Sequence, residues 1–190
     1  MVKLKNIAKV LTGVAAQESL DGVARFVRLS DLSDLKAGRM PTLIKGEVPA
    51  VARAQAIVSG DLLIGARGNT TEVYLATEPV IGAYISLDLY LARPDAAQVD
   101  PEYLAAFISL PVTQAAFVGN KQGSGLARLP KDALETVPIP LPPIAQQRVI
   151  ADLARCLRNE ADLVARLSAL HSVRGSEALM RAIRAASQNS

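Results

Sequence analysis

The most regular apolar pattern lies toward the C-terminal end of the chain. Val149, Cys156, Leu163 and Leu170 recur every seven residues, with Ile150, Leu157 and Val164 on one flank and Leu153 and Leu167 on the other. At about 100° per residue these positions cover roughly 160° of a helix, wider than the two-position seam of a simple coiled coil. No glycine or proline interrupts Ile144 to Arg174, so the spacing predicts one long helix, whose roughly thirty residues would span about 45 Å. The width of the stripe predicts contact with both the body of its own chain and a second helix. Cys156 is expected there as a buried, inert thiol, and Glu160 as a polar register-setter. Gly175-Ser176 interrupts the pattern before Leu179, Met180 and Ile183 resume it, leaving a kink near 175 and a second short helix both open.

The helix follows Val137-Pro138-Ile139-Pro140-Leu141-Pro142, where the prolines hold the backbone extended. Pro143 suits a first helical position. Further upstream the apolar period shortens toward two. Leu4 to Val10 opens as a short helical or extended segment, and Ala24–Leu29 alternates as a half-buried strand. Ser30 to Asp34 carries residues that cap a helical turn, and Lys36 to Val51 shows no period and reads as a loop. Gln55–Val58 reads as a brief strand. Leu62-Leu63-Ile64 is an apolar strand covered on both faces, turning through Gly65 to Thr71 into a second strand at Glu72–Ala76 to make a hairpin. Val80-Ile81 and Ser86–Ala92 predict more strands. Asp100-Pro101 starts a helix and Pro111 ends it and begins another. A glycine-rich loop, Gly119–Gly125, and a short helical turn at Leu129–Leu134 complete the globular part, for which an α+β fold rich in strands is expected.

Charge sharpens this division. Residues 1–147 carry 14 bases and 14 acids, whereas residues 148–190 carry seven arginines against four acids and so hold the whole net charge of +3. Arginines on a long helix commonly solvate its outer face. Within the globular part, bases collect in two loop-rich windows. Lys36, Arg39, Lys45, Arg53 and Arg67 face two acids between residues 36 and 71, and Lys121, Arg128 and Lys131 face none between 118 and 131. A phosphate-binding face needs such a local excess. The chain has no tryptophan and few aromatics, which argues against a stacking platform for single strands.

Little supports catalysis. One cysteine and one histidine allow no protein-only zinc site and no nucleophile set, and the acids are scattered rather than clustered for a metal. Neither the Asn/Asp-Pro-Pro-aromatic motif of an amino-methyltransferase nor a cofactor-binding glycine signature is present. No apolar run reaches the ~18–20 residues of a membrane span, and there is no signal-peptide core, so a cytoplasmic protein is expected. At the hairpin tip, Arg67, Asn69, Thr70 and Thr71 are residue types that reach base edges in duplex DNA, although an ordinary hairpin turn would use similar residues.

The run from Leu129 to Ile150, Leu-Pro-Lys-Asp-Ala-Leu-Glu-Thr-Val-Pro-Ile-Pro-Leu-Pro-Pro-Ile-Ala-Gln-Gln-Arg-Val-Ile, resembles the end of a target-recognition domain entering the long helix of type I restriction-modification specificity subunits. Gly60–Gly68 and Gln122-Gly123-Ser124-Gly125 look like two further landmarks of that family at matching spacing. The sequence departs from the family pattern at Gln146-Gln147, where Glu-Gln is frequent, and at Met1–Leu4, where an aromatic residue commonly opens the domain. The resemblance implies a DNA-reading domain over residues 1–142 and a dimerisation and spacer helix over 143–190. It implies a half-size subunit with one recognition domain, two copies of which pair as an antiparallel coiled coil through Val149, Ile150, Leu153, Cys156, Leu157, Leu163, Val164, Leu167 and Leu170. DNA contacts would come from Arg39, Lys45, Arg53, Arg67, Asn69, Thr70, Thr71, Lys121, Gln122, Ser124 and Arg128. The implied partners are double-stranded DNA, a modification methyltransferase subunit carrying S-adenosylmethionine, and a restriction/translocase subunit; this chain itself would hold no cofactor and no metal, would be non-catalytic and would not engage a membrane. The competing readings are a protein-interaction module that dimerises through its helix with no DNA role, and a fragment of a larger fusion.

Overall fold

The computed structural model describes residues 1–188 apart from 20, 50–53, 69 and 124–126. Two compact units are present, Met1–Ala151 and Asp152–Ser190.

The first unit is α+β and is organised around strand β6, Leu62–Gly65, every residue of which is buried. Consecutive side chains of a strand point to opposite faces, and both faces here are covered. Leu62 and Ile64 enter one core with Tyr103, Leu104, Ile108, Phe117 and Leu134. Leu63 enters a second with Val27, Leu32, Leu35, Ile57 and Val80. Strand β9, Leu89–Pro94, repeats the division, with Tyr90 and Ala92 in the first core and Leu89 and Leu91 in the second. With β2 (Ala8–Thr12) and β7 (Val73–Leu75) these strands form an antiparallel sheet in the order β2-β9-β6-β7. A second sheet has the order β3-β5-β4-β8, from Gln17–Glu18, Ile44–Glu47, Ala24–Val27 and Tyr84–Ile85. Strand β1, Val2–Lys3, pairs with β10, Pro138–Ile139, which closes the N-terminus onto the proline stretch.

Helix α1 is Asp31–Lys36, α2 Pro101–Ser109, α3 Pro111–Asn120 and α4 Lys131–Glu135. As expected, the Asp100 side chain caps α2 by accepting from the Tyr103 N–H, with Pro101 in the first turn. Helix α5 runs from Ile144 to Gln188 and passes through Gly175 and Ser176 without a break. Its first two turns belong to the first unit. Ala151 is buried in the core there, and the Gln147 amide is 1% exposed. Gln147 accepts from the Asp100 N–H at 2.9 Å and donates to the carbonyls of Gln98 and Pro142 at 3.1 and 2.8 Å. The compact units therefore divide within α5 rather than between residues 142 and 143.

Several local expectations are corrected. The stretch read as a loop over Lys36–Val51 contains β5, which pairs with β4 in the register Arg25↔Lys45. Gly22 and Gly46 allow the chain to close there, since a Cβ on Gly22 would meet the Gly46 backbone at 2.4 Å; that contact has no period to betray it. Residues 55–58 form no strand, although the Ile57 backbone is bonded to Gly82 and Ala83. Val80 ends a 3-10 turn, Glu78–Val80. Cys156 is exposed in the single chain, not buried. The remaining stripe residues Val149, Ile150, Leu153, Leu157, Leu163, Val164, Leu167 and Leu170 are exposed as well.

Candidate nucleic-acid interface

The hairpin of β6 and β7 is closed by the Gly65 N–H donating to Glu72 O at 2.7 Å. Beyond that bond lies the tip of the hairpin, where Gly68 has φ +94°, a conformation costly for any residue with a Cβ. Lys121, Gln122 and Arg128, on either side of the second glycine-rich stretch, fold onto this tip although they lie more than fifty residues away in sequence. Gln122 and Arg128 exchange two backbone bonds, of 3.0 and 2.9 Å, and Arg128 in turn bridges Arg67. The Leu129 N–H donates to Ala66 O at 2.8 Å, and the buried Tyr90 hydroxyl donates to Leu129 O at 2.7 Å. Backbone pairing thus joins the two loops.

Side chains tighten the junction. Lys121 Nζ donates to Gly68 O at 2.5 Å, and its partial burial lowers the lysine pKa by desolvation. Arg128 donates to Leu87 O at 3.0 Å and its guanidinium lies 5.4 Å from the Tyr90 ring centroid. Arg67 Nε lies 2.7 Å from Asp88 Oδ1. The N–H is not aimed at that oxygen, so the contact is an ion pair without hydrogen-bond geometry, and Nε has no other partner among the described residues. On the far side of the tip, Lys36 Nζ pairs with Glu72 Oε2 at 2.6 Å, and Thr70 Oγ1 donates to Glu72 Oε1 at 3.3 Å. Gln114 clips the hairpin to α3: it accepts from the Thr71 N–H at 3.0 Å and donates to Thr71 O at 3.1 Å and Ile108 O at 2.8 Å.

The structure therefore brings together Arg67, Thr70, Lys121, Gln122 and Arg128 from the predicted set. Thr71 is corrected. The Gln114 clip draws its backbone inward, leaving the residue 3% exposed and its hydroxyl buried without a partner. Arg39 is paired with Asp34 at 2.6 Å, and Lys45 lies on β5 of the other sheet. Arg53, Asn69 and Ser124 lie outside the described residues. Sequence reasoning missed Asp88 and Gln114, and no local signal marks either: Asp88 stood inside a predicted strand and Gln114 inside a predicted helix. Lys36, Arg67, Lys121 and Arg128 share this surface with Glu72 and Asp88. Exposed ion pairs of this kind contribute only about 0–1 kcal/mol each, so Lys36 and Arg67 can exchange a carboxylate for an incoming anion.

Residues 2–167 match the family described as Type I restriction modification DNA specificity domain. The chain belongs to that family. This specificity domain is also similar in fold to three solved chains. One is the HsdS subunit from Thermoanaerobacter tengcongensis, at 22% identity and TM-score 0.61, covering 87% of this chain and 38% of that one. A chain from a structure on complex assembly and conformational transition of the type I R-M system gives 22% identity and TM-score 0.66, covering 87% and 43%. The type I restriction-modification S subunit from M. genitalium gives 11% and 0.54, covering 80% and 37%. The specificity domain thus spans about two fifths of the length of the solved chains it matches. No curated protein matches it. Among the described residues, no cluster of His, Cys, Asp and Glu could hold a metal, and no helix is long and apolar enough to cross a membrane.

Proposed function

We propose that the globular unit reads one half of a split target in double-stranded DNA and directs a partner adenine methyltransferase to it. The observation that carries this reading is the union of two glycine-rich loops, remote in sequence, into one basic surface led by Arg67, in a chain of this family. Arg67 would contact a base edge, Thr70 and Gln122 adjacent edges or phosphates, and Lys121 and Arg128 would hold the loops in place. Arg39 and Lys45 would act on flanking phosphates. Two copies pairing their α5 helices antiparallel would set two readers at a fixed separation, which calls for an inverted-repeat target with a constant gap. The exposed apolar stripe of α5 supports that pairing. Methyl transfer from S-adenosylmethionine to a flipped adenine would belong to the partner subunit, and a restriction subunit would join the same assembly.

The test is fluorescence anisotropy on a random duplex pool, with and without the methyltransferase subunit, followed by selection and sequencing of bound DNA. The expected product is an inverted repeat with a fixed gap. Absence of any enriched sequence in both conditions would refute the reading. Sedimentation supplies a second check: a concentration-dependent dimer is expected, and the double change Leu157→Glu and Leu163→Glu should leave monomers. The exposed stripe, with zero net charge over residues 1–147, also suits a protein-interaction module without a DNA role; that alternative predicts dimers that show no salt-dependent duplex binding.

A further inference from the structure

The acid beside Arg67 restricts what that arginine can bind. Asp88 Oδ1 lies 2.7 Å from Arg67 Nε and 3.9 Å from a terminal nitrogen of Arg128. The two arginines are held differently. Arg128 is fastened by Leu87 O and stacked over Tyr90, whereas among the described residues Asp88 is the side-chain partner of Arg67. Arg67 Nε is itself buried beside Asp88, so the guanidinium meets solvent through its two terminal nitrogens, and that edge matches guanine O6 and N7. The Arg67 side chain is 43% exposed, so the edge is within reach of solvent.

The carboxylate also discriminates between acceptors. A phosphate at the same edge would bring a full negative charge close to Asp88, while guanine O6 and N7 carry only partial charge. Repulsion therefore falls mainly on the phosphate. We propose that Asp88 is a specificity-determining residue, which orients Arg67 as a guanine reader and keeps backbone phosphate away from it. This rests on the DNA-reading function proposed above.

The experiment compares the full chain and its Asp88→Asn variant, in the presence of the methyltransferase subunit, on two duplexes: the sequence selected by the wild type, and a random duplex of equal length. With the negative charge gone, affinity for the random duplex should rise several-fold, and the slope of log K against log salt should steepen by up to about 0.9, the change expected for one more phosphate contact. The ratio of selected to random affinity should fall about tenfold, within the range of one good bidentate base contact. Replacing each target guanine in turn by 7-deazaguanine should weaken the wild type at one position and leave Arg67→Ala indifferent there. In an Arg67→Ala background, Asp88→Asn should raise both affinities equally, which guards against a variant that merely disturbs the fold. A wild type that prefers the selected duplex while Asp88→Asn leaves the ratio unchanged overturns this inference alone. A wild type without sequence preference overturns the proposed function itself.

Discussion

Strand β6 ends in an aspartate–arginine pair at both extremities, and the two pairs behave oppositely. At its N-terminal end, Asp61 is 1% exposed and takes Arg93 in a fork, Nε to Oδ1 at 2.8 Å and Nη2 to Oδ2 at 2.7 Å. The remaining valences are used: Arg93 also donates to Gln55 Oε1 and Ala56 O, and Asp61 accepts from the Val58 N–H. The hydrogen bond to Asp61 is the main reason the Arg93 pKa is raised. At the other end, Arg67 and Asp88 are 43% and 46% exposed and make one contact without hydrogen-bond geometry. Two pairs of the same chemical type thus do different jobs. The enclosed one holds the sheet to the segment before it, and the open one can be exchanged for a ligand.

Breaking the enclosed pair should have the largest effect. Asp61→Ala strands the Arg93 guanidinium and the Val58 N–H, and should cost about 3–5 kcal/mol of unfolding free energy by chemical denaturation. A loss under about 1 kcal/mol would mean that water replaces the carboxylate. Next is Arg67→Ala, expected to weaken specific duplex binding by about 1–3 kcal/mol while leaving the denaturation midpoint almost unmoved. A fall in stability equal to the fall in affinity would make Arg67 structural and erase the contrast. Gln147→Ala should follow at about 1–3 kcal/mol of stability, because it leaves the Asp100 N–H and two carbonyls unpaired; hydrogen exchange at Asp100 should report the loosened joint.

How much of this was legible in the sequence depends on the range of the interaction. The β6 run, the Asp100 cap, the Pro111 break and the start of the long helix are all governed by neighbours within a few residues and stand as the sequence predicts, whereas the interruption expected at Gly175-Ser176 is absent from α5. Strand β5 was missed because Ile44-Lys45-Gly46-Glu47 has only one large apolar residue, and its pairing depends on Gly22 meeting Gly46. Thr71 was read as an exposed contact from its residue type, whereas Gln114, 43 residues on, draws it inward. The departure from the family pattern at Gln146 falls on an exposed position, while its neighbour Gln147 is the amide that seats α5. The candidate surface was legible in its cations and silent in its acids. Asp88 reaches Arg67 across 21 residues of chain, a distance no spacing rule covers.

The smallest effect is the most discriminating. Asp→Asn preserves shape and removes only the charge, so making it at both ends of β6 isolates burial as the variable. Asp61→Asn replaces one acceptor oxygen of the Arg93 fork by a donor that faces another donor, where water cannot easily intervene. Asp88→Asn removes a charge whose field is largely screened by solvent, beside a partner side chain that is 43% exposed. Denaturation should therefore register Asp61→Asn as a loss of several kcal/mol and Asp88→Asn as a change within about 0.5 kcal/mol. Raising the salt from 0.05 to 0.5 M should narrow the small difference and leave the large one in place, since exposed charges are screened and enclosed ones are not. If the two substitutions cost the same, exposure is not what separates a structural pair from an exchangeable one, and the case for Arg67 as the reading side chain loses its physical basis.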